Sequence, residues 1–159
     1  MRNLVGYILG FLMFVAGIPA LMWVTSGRPF PWAPALPWTG MGLILMIPGL
    51  ALSIWSIVHM KRVGEGNPFD AYGHELAPRT RHLMTDGPYR FTRNPMLVGI
   101  YIYDLGVLLW LQSWWPLAIF AAEVILLTLQ VRSEEKRLET DFGEEYLDYK
   151  MRVPRYLFK

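Results

Sequence analysis

The sequence predicts an all-α integral membrane protein: four transmembrane helices, a cytoplasmic loop and C-terminal amphipathic helices. Three observations predict it. Of the 159 residues, 53% are hydrophobic and only 18% charged, where a soluble domain carries about 25% charged. The apolar residues gather into runs close to the roughly 20 residues that a helix needs to cross a bilayer. The basic residues fall almost entirely on one side of those runs. The length suits a single domain over residues 1–159.

The spans are read at about 4–25, 38–60, 95–111 and 114–131, with a polar loop at 61–94 and a tail at 132–159. The first, "LVGYILGFLMFVAGIPALMWVT", holds no charge. It is too long for a signal peptide, and no small-residue cleavage site follows it, so it is expected to stay in the membrane. Gly6 and Gly10 form a GxxxG pair there, continued by Gly17, a pattern of close helix packing or of ordinary membrane-helix glycine. The second, "WTGMGLILMIPGLALSIWSIVHM", is uncharged apart from His59. The third and fourth carry one acid each, Asp104 and Glu123, and are joined through Gln112 and Ser113 as a tight antiparallel hairpin. In the tail, Leu138, Phe142, Tyr146 and Tyr149 recur at helical spacing. Gly143 is expected to divide that tail into two helices.

Charge orients the chain. With four spans, both termini share a side with the 61–94 loop, and every basic residue except Arg28 falls on that side. The positive-inside rule makes it the cytoplasm, the inner face of the inner membrane in a bacterium. Trp23, Trp32, Trp38, Trp110, Trp114 and Trp115 cluster at the opposite ends, as an interfacial belt does. The outer loop "SGRPFPWAPALP" is a short, proline-rich connector. A net charge of +2 is too small to suggest a nucleic-acid binder, and none is expected; the absence of cysteine excludes disulfides and thiolate metal sites. His59, His74 and His82 lack metal-ligand spacing, so no metal is expected.

The polar detail sits at the cytoplasmic end of the third span, in "TDGPYRFTRNPMLVG", residues 85–99. Asn94 followed by Pro95 reads as a helix start, with Asn94 as N-cap. Arg90 and Arg93 read either as boundary arginines snorkelling to water or as partners of an anion at the helix N-terminus. Gly99, one turn inside, offers a ligand close approach. The hairpin brings Glu134 and Glu135 opposite this corner, either as a solvated cluster with Arg132, Lys136 and Arg137 or as partners of a zwitterionic ligand. Tyr89, Tyr101, Tyr146 and Tyr149 offer cation–π faces. Asp104 and Glu123 lie at depths that differ by only about 3 Å at 1.5 Å rise per residue. They read as a hydrogen-bonded structural pair or as a functional site.

Two blocks resemble the superfamily of isoprenylcysteine carboxyl methyltransferases and phospholipid methyltransferases, integral membrane enzymes that use S-adenosylmethionine. "GPYRFTRNPMLVG", residues 87–99, is similar to the family's G-P-Y-R-x-x-R-[HN]-P-x-Y-x-G. "EEKRLETDFGEEYLDYKMRVPRYLF", residues 134–158, is similar to E-E-x-x-L-x-x-x-F-G-x-x-Y-x-x-Y-x-x-x-V-P-R. With the hairpin between them, the resemblance covers residues 85–158.

The resemblance implies that the C-terminal helices help to form the cofactor site. Arg93, Asn94, Pro95 and Gly99 would line S-adenosylmethionine, Glu134 and Glu135 would lie opposite, and Tyr89, Arg90 and Leu97 sit in the same block. Asn94 stands where many members have histidine, and Leu97 where the usual residue is tyrosine. The family's further C-terminal substrate element is not expected after Lys159. For the acceptor, a membrane lipid or lipophilic small molecule, the candidates are Asp104, Glu123, Arg132 and Tyr146.

Activated methyl transfer rests on positioning; where an acceptor needs a base, Glu135 or a tail tyrosine is the candidate. Two other readings remain open: an NADPH-dependent sterol-type reductase on a related helical scaffold, and a non-enzymatic transporter or assembly protein built around Asp104 and Glu123.

Overall fold

The computed structural model describes residues 11–30, 33–64 and 82–157. Arg2, Gly6, Gly10, Trp32, His74, Arg79, Arg81 and Lys159 lie outside them. The described residues form helices and connecting turns, with no strand. A loosely wound π-helical segment, Phe11–Gly17, leads into α1, Ile18–Ser26. Then come α2, Leu36–His59, with a π-helical extension Met60–Gly64, and a short 3-10 turn, Gly87–Arg90. Helices α3, Pro95–Leu111, α4, Pro116–Phe142, and α5, Glu144–Arg152, complete the chain. Proline occupies the first turn of α1 to α4, where its missing N–H costs nothing. The α2 helix with its extension and the α4 helix are long and apolar enough to cross a membrane; α1 and α3 are shorter apolar helices.

Helices α2 and α3 run antiparallel in the closest contact of the molecule. Small residues at seven-residue spacing make it possible: Gly42 and Gly49 on α2 meet Gly106 and Gly99 on α3. A Cβ at Gly49 would sit 2.6 Å from the Tyr103 nitrogen and 2.7 Å from the Gly99 oxygen, both backbone atoms. The Ser53 hydroxyl closes the contact by donating to the Met96 carbonyl at 3.0 Å. Without a hydrophobic drive inside lipid, such close backbone approach is what holds two helices together. Gly99 is therefore taken up by packing, with the Ser53 oxygen 2.3 Å from where its Cβ would be. The space expected there for a ligand is filled by α2.

Two apolar clusters tie the remaining helices to this pair. Leu97 and Ile100 of α3 pack with Leu127 and Val131 of α4. Met22 of α1 packs with Val107 and Leu111 of α3 at the opposite end. There Arg28 supplies its guanidinium to the end of α3: Nε donates to the Leu111 carbonyl at 2.9 Å and Nη2 to the Gln112 carbonyl at 2.7 Å. The single basic residue expected outside the cytoplasm thus satisfies helix-end carbonyls.

Two boundaries differ from the sequence reading. The α3–α4 turn takes four residues, because Gln112 caps α3 in a left-handed conformation (φ 49°) and α4 begins at Pro116. Trp114 and Trp115 stack in that turn at 4.0 Å. The fourth span and the first half of the tail are one continuous helix, since 132–142 holds strong helix formers and no breaker before Gly143. Gly143, at φ 54° and ψ −127°, then divides α4 from α5 as its sequence position implies.

Replacing Gly49 by alanine forces backbone atoms apart and is expected to destabilise the protein by roughly 1–3 kcal/mol. Gly40→Ala, where a Cβ meets nothing within 4 Å, is expected to leave it unchanged. Thermal melting of the two variants in the same detergent checks both.

Candidate functional site

The two motif blocks meet at one corner, built around Glu135. This residue lies four positions beyond Val131, past the apolar part of α4, and its side chain is 6% exposed. Its Oε1 accepts from Arg93 Nε at 3.0 Å and Nη2 at 2.6 Å. Its Oε2 accepts from Arg155 Nε at 3.1 Å and Nη2 at 2.6 Å. One carboxylate thus receives two planar forks, the geometry for which guanidinium is suited. Burial alone would raise the Glu135 carboxyl; the bonds and charges of Arg155 and Arg93 outweigh that and hold it below the ordinary range.

Arg93 also holds the tail. Its Nη1 donates to the Lys150 and Val153 carbonyls at 3.1 and 2.5 Å, which closes the C-terminal end of α5. Its backbone N–H donates to the Pro154 carbonyl at 2.9 Å. On either side of it, Thr92 Oγ1 and Asn94 Nδ2 donate to the Arg155 carbonyl at 3.0 and 3.1 Å. Asn94 sits at the N-cap position, but its side chain makes no capping bond because it is turned to the tail segment. Around this hub, Tyr146, Tyr149 and Val153 form a buried cluster with Leu83, Leu138 and Phe142. The Tyr149 hydroxyl donates to the Tyr89 carbonyl at 2.7 Å. Burial pushes the Tyr146 and Tyr149 hydroxyls well up, with neighbouring Glu135 and Tyr146 respectively adding to the effect, so neither ionises near neutrality.

The other sequence candidates divide by position. Tyr89 and Pro95 are buried beside the hub. Leu97 faces α4 within the apolar cluster. Arg90 is exposed, its guanidinium 5.3 Å from the centre of the Phe91 ring. Glu134 stays half exposed, with Arg137 3.9 Å away, and Arg132 is exposed. Asp104 and Glu123 lie far from this corner. They are buried at 0% and 5% exposure between α3 and α4.

Sequence reasoning missed Arg155, although it stands in the V-P-R of the second block. It also missed His59, whose Nε2 meets Asp86 Oδ1 at 2.8 Å. The His59 ring lies flat against Gly87, where a Cβ would be 2.6 Å from the ring. Gly87, at φ 53°, is thus required both by its turn and by the ring. The signal was the glycine of the first block, which reads as turn chemistry alone.

A set of apolar helices, two of them long enough to cross a membrane, closed at one end by interlocked polar motifs, points to a helical membrane protein. Comparison with known proteins makes this specific. The phospholipid methyltransferase family matches residues 38–145, and the chain belongs to that family. It is similar to proteins named protein-S-isoprenylcysteine O-methyltransferase. The one from Schizosaccharomyces pombe is 32% identical over 73 residues, 45% of this chain and 31% of that protein. Those from Mus musculus and Homo sapiens are 36% and 35% identical over 78 residues, 47% of this chain and 27% of each. The matched stretch thus spans less than a third of these relatives' own length. No solved structure is significantly similar to the chain.

Glu135→Gln leaves two guanidinium groups without their counter-charge and is expected to cost about 3–5 kcal/mol, whereas Glu134→Gln stays within about 0.5 kcal/mol. Denaturant titration of the purified variants checks the contrast. Because its folded carboxyl is depressed, the stabilisation from Glu135 is complete above its ordinary value of 4.5 and is lost as the pH falls below it. Melting temperature measured against pH is expected to drop in that acid range for the wild type and to drop less for Glu135→Gln.

Proposed function

We propose that the protein transfers a methyl group from S-adenosylmethionine to a lipophilic or membrane-borne acceptor at the cytoplasmic face. In this reading it is a multi-pass membrane enzyme of four spans with both termini cytoplasmic. The observation that carries the proposal is the convergence of the two motif blocks. Residues 42 positions apart in the chain, Arg93 and Glu135, are locked together where the apolar helices end. Family membership and the names of the relatives support the same chemistry.

The donor set at the corner suits a zwitterionic cofactor. Glu134 is half exposed beside the hub and would take an ammonium group. The first turn of α3, behind Asn94 and Pro95, presents backbone N–H groups and would take a carboxylate. Arg90, Arg132 and Tyr89 border the same corner. Arg93 and Glu135 serve it from behind, since the bonds they make are directed at each other and at the tail. Leu97 and Gly99 serve by packing the block against α4 and α2.

When bound, the cofactor supplies an activated methyl group on a sulfonium. The chain's own residues have to hold the acceptor in line and keep water out. Orientation of this kind is worth up to roughly 7–11 kcal/mol in the best intramolecular cases, and a dry boundary strengthens each electrostatic contact. No step needs Glu135 as a base. Its carboxylate is committed to two arginines, and the tail tyrosines are too weakly acidic to serve. A carboxylate acceptor would react as it stands, and an amine or thiol would arrive deprotonated. The acceptor enters sideways between helices and meets the water-borne cofactor at the corner.

Detergent-purified protein is expected to bind S-adenosylmethionine and S-adenosylhomocysteine at micromolar concentration. Glu134→Ala and Asn94→Ala are expected to weaken that binding about tenfold, or about 1.4 kcal/mol each. Calorimetric titration measures both; folded wild-type protein that binds neither compound overturns the reading.

A further inference from the structure

We propose that Asp104 and Glu123 form a binding site, inside the membrane, for a neutral hydrogen-bond donor, a hydroxyl or N–H, carried midway along the chain of the lipophilic acceptor. The proposal rests on the methyl-transfer reading and narrows its substrate. Neither acid serves the corner described above. Both are buried, and none of their four carboxyl oxygens receives a hydrogen bond from any group outside the pair among the described residues. The two carboxyls adjoin each other within hydrogen-bonding reach, so they can share a proton. Sharing it still leaves most of their acceptor sites unused. Buried polar groups in this state are rare, and an acid in a membrane-spanning segment usually has a task.

The surroundings define the missing partner. The apolar stretches of the spans hold no lysine or arginine. Arg28, at the far end, is engaged with the carbonyls that close α3. A carboxylate ligand would be repelled by the pair. An ammonium ligand would bring a further charge into hydrocarbon, at a cost a neutral donor avoids.

A polar track also leads to the pair from the cytoplasmic corner. The Tyr156 hydroxyl bonds Thr128 at 3.0 Å, next to the hub residue Arg155. The Tyr101 ring meets the Tyr156 ring edge-on at 5.8 Å, and its buried hydroxyl lies beside the Tyr156 and Thr128 hydroxyls. Tyr101 lies one turn before Asp104. The seam between α3 and α4 is the place for a chain to lie, because α3 is packed far more closely against α2 than against α4.

Depth sets where the donor must be. Asp104 is ten residues beyond Asn94 and Glu123 twelve before Glu135, which puts them about 15 and 18 Å from the corner at 1.5 Å per residue. A chain whose head reacts at the corner passes the acids at its middle. A plain hydrocarbon chain would leave them without a partner, whereas one with a mid-chain donor would satisfy them.

Methyl stearate and methyl 12-hydroxystearate share one uncharged head and differ by that donor. Each is titrated into the full-length protein in maltoside micelles. The hydroxylated ester is expected to bind the wild type at least tenfold more tightly. The double variant Asp104→Leu/Glu123→Met, in which both partners are replaced by apolar groups of similar size, is expected to lose that preference while keeping its affinity for S-adenosylmethionine. Equal binding of the two esters by the wild type overturns the proposal, even if the double variant does not fold. A preference that survives in the folded double variant overturns it too. If the wild type prefers the hydroxylated ester and the double variant does not, while neither binds S-adenosylmethionine, the membrane site stands and the methyl-transfer reading falls.

Discussion

The fold of the polar half depends on one carboxylate held between two guanidinium groups. Glu135 takes four N–H bonds from Arg93 and Arg155 in a place where neither Glu135 nor Arg93 is more than slightly exposed. Burying such charges is costly, and the cost is offset only when geometry is good and the remaining donors are satisfied. Here they are. The spare donors of Arg93 reach the carbonyls that α5 leaves open at its C-terminal end, and its backbone N–H reaches Pro154. The helix start at Pro95, the outgoing part of α4 and the closing segment 153–156 therefore form one unit. Both sequence blocks take part in building it.

The membrane half is held by a different means. Between α2 and α3 it is the absence of side chains that matters, at Gly42, Gly49, Gly99 and Gly106. Charge would be a poor adhesive there, and the helices use close contact and the Ser53–Met96 bond instead. The two halves meet in the 87–99 block, which explains its mixed character. Arg93 and Asn94 look to the polar tail, whereas Leu97 and Gly99 look to the neighbouring helices.

The helical class, the helix start at Pro95, the break at Gly143 and the approach of Glu135 to the Arg93 corner were legible in the sequence. Each follows from a local rule: apolar run length, proline and glycine position, or the return of a hairpin. What was not legible depends on partners distant in sequence. Nothing local shows that Arg93 and Glu135 turn to each other, that Arg155 joins them, or that Asn94 serves the tail instead of its own helix. Gly99 was read as an opening because a missing side chain looks the same whether the space is left for a ligand or for a second helix. The helix through residues 131 and 132 was divided because the change from apolar to charged composition resembles a boundary, though helix propensity does not change there.

Helix α4 is a rod of 27 residues without a joint. Its apolar part, residues 116–131, is about 24 Å long at 1.5 Å per residue, and the charged remainder reaches beyond it. In a hydrocarbon layer of about 30 Å a shortfall of that kind is absorbed by local thinning of the lipid. Any shift that a bilayer imposes on the apolar part is carried unchanged to Glu135 at the other end, since no hinge intervenes to absorb it. The thickness of a surrounding lipid layer would thereby be written into the position of the Glu135 corner, and the membrane would become a mechanical setting for it as well as the medium that holds it.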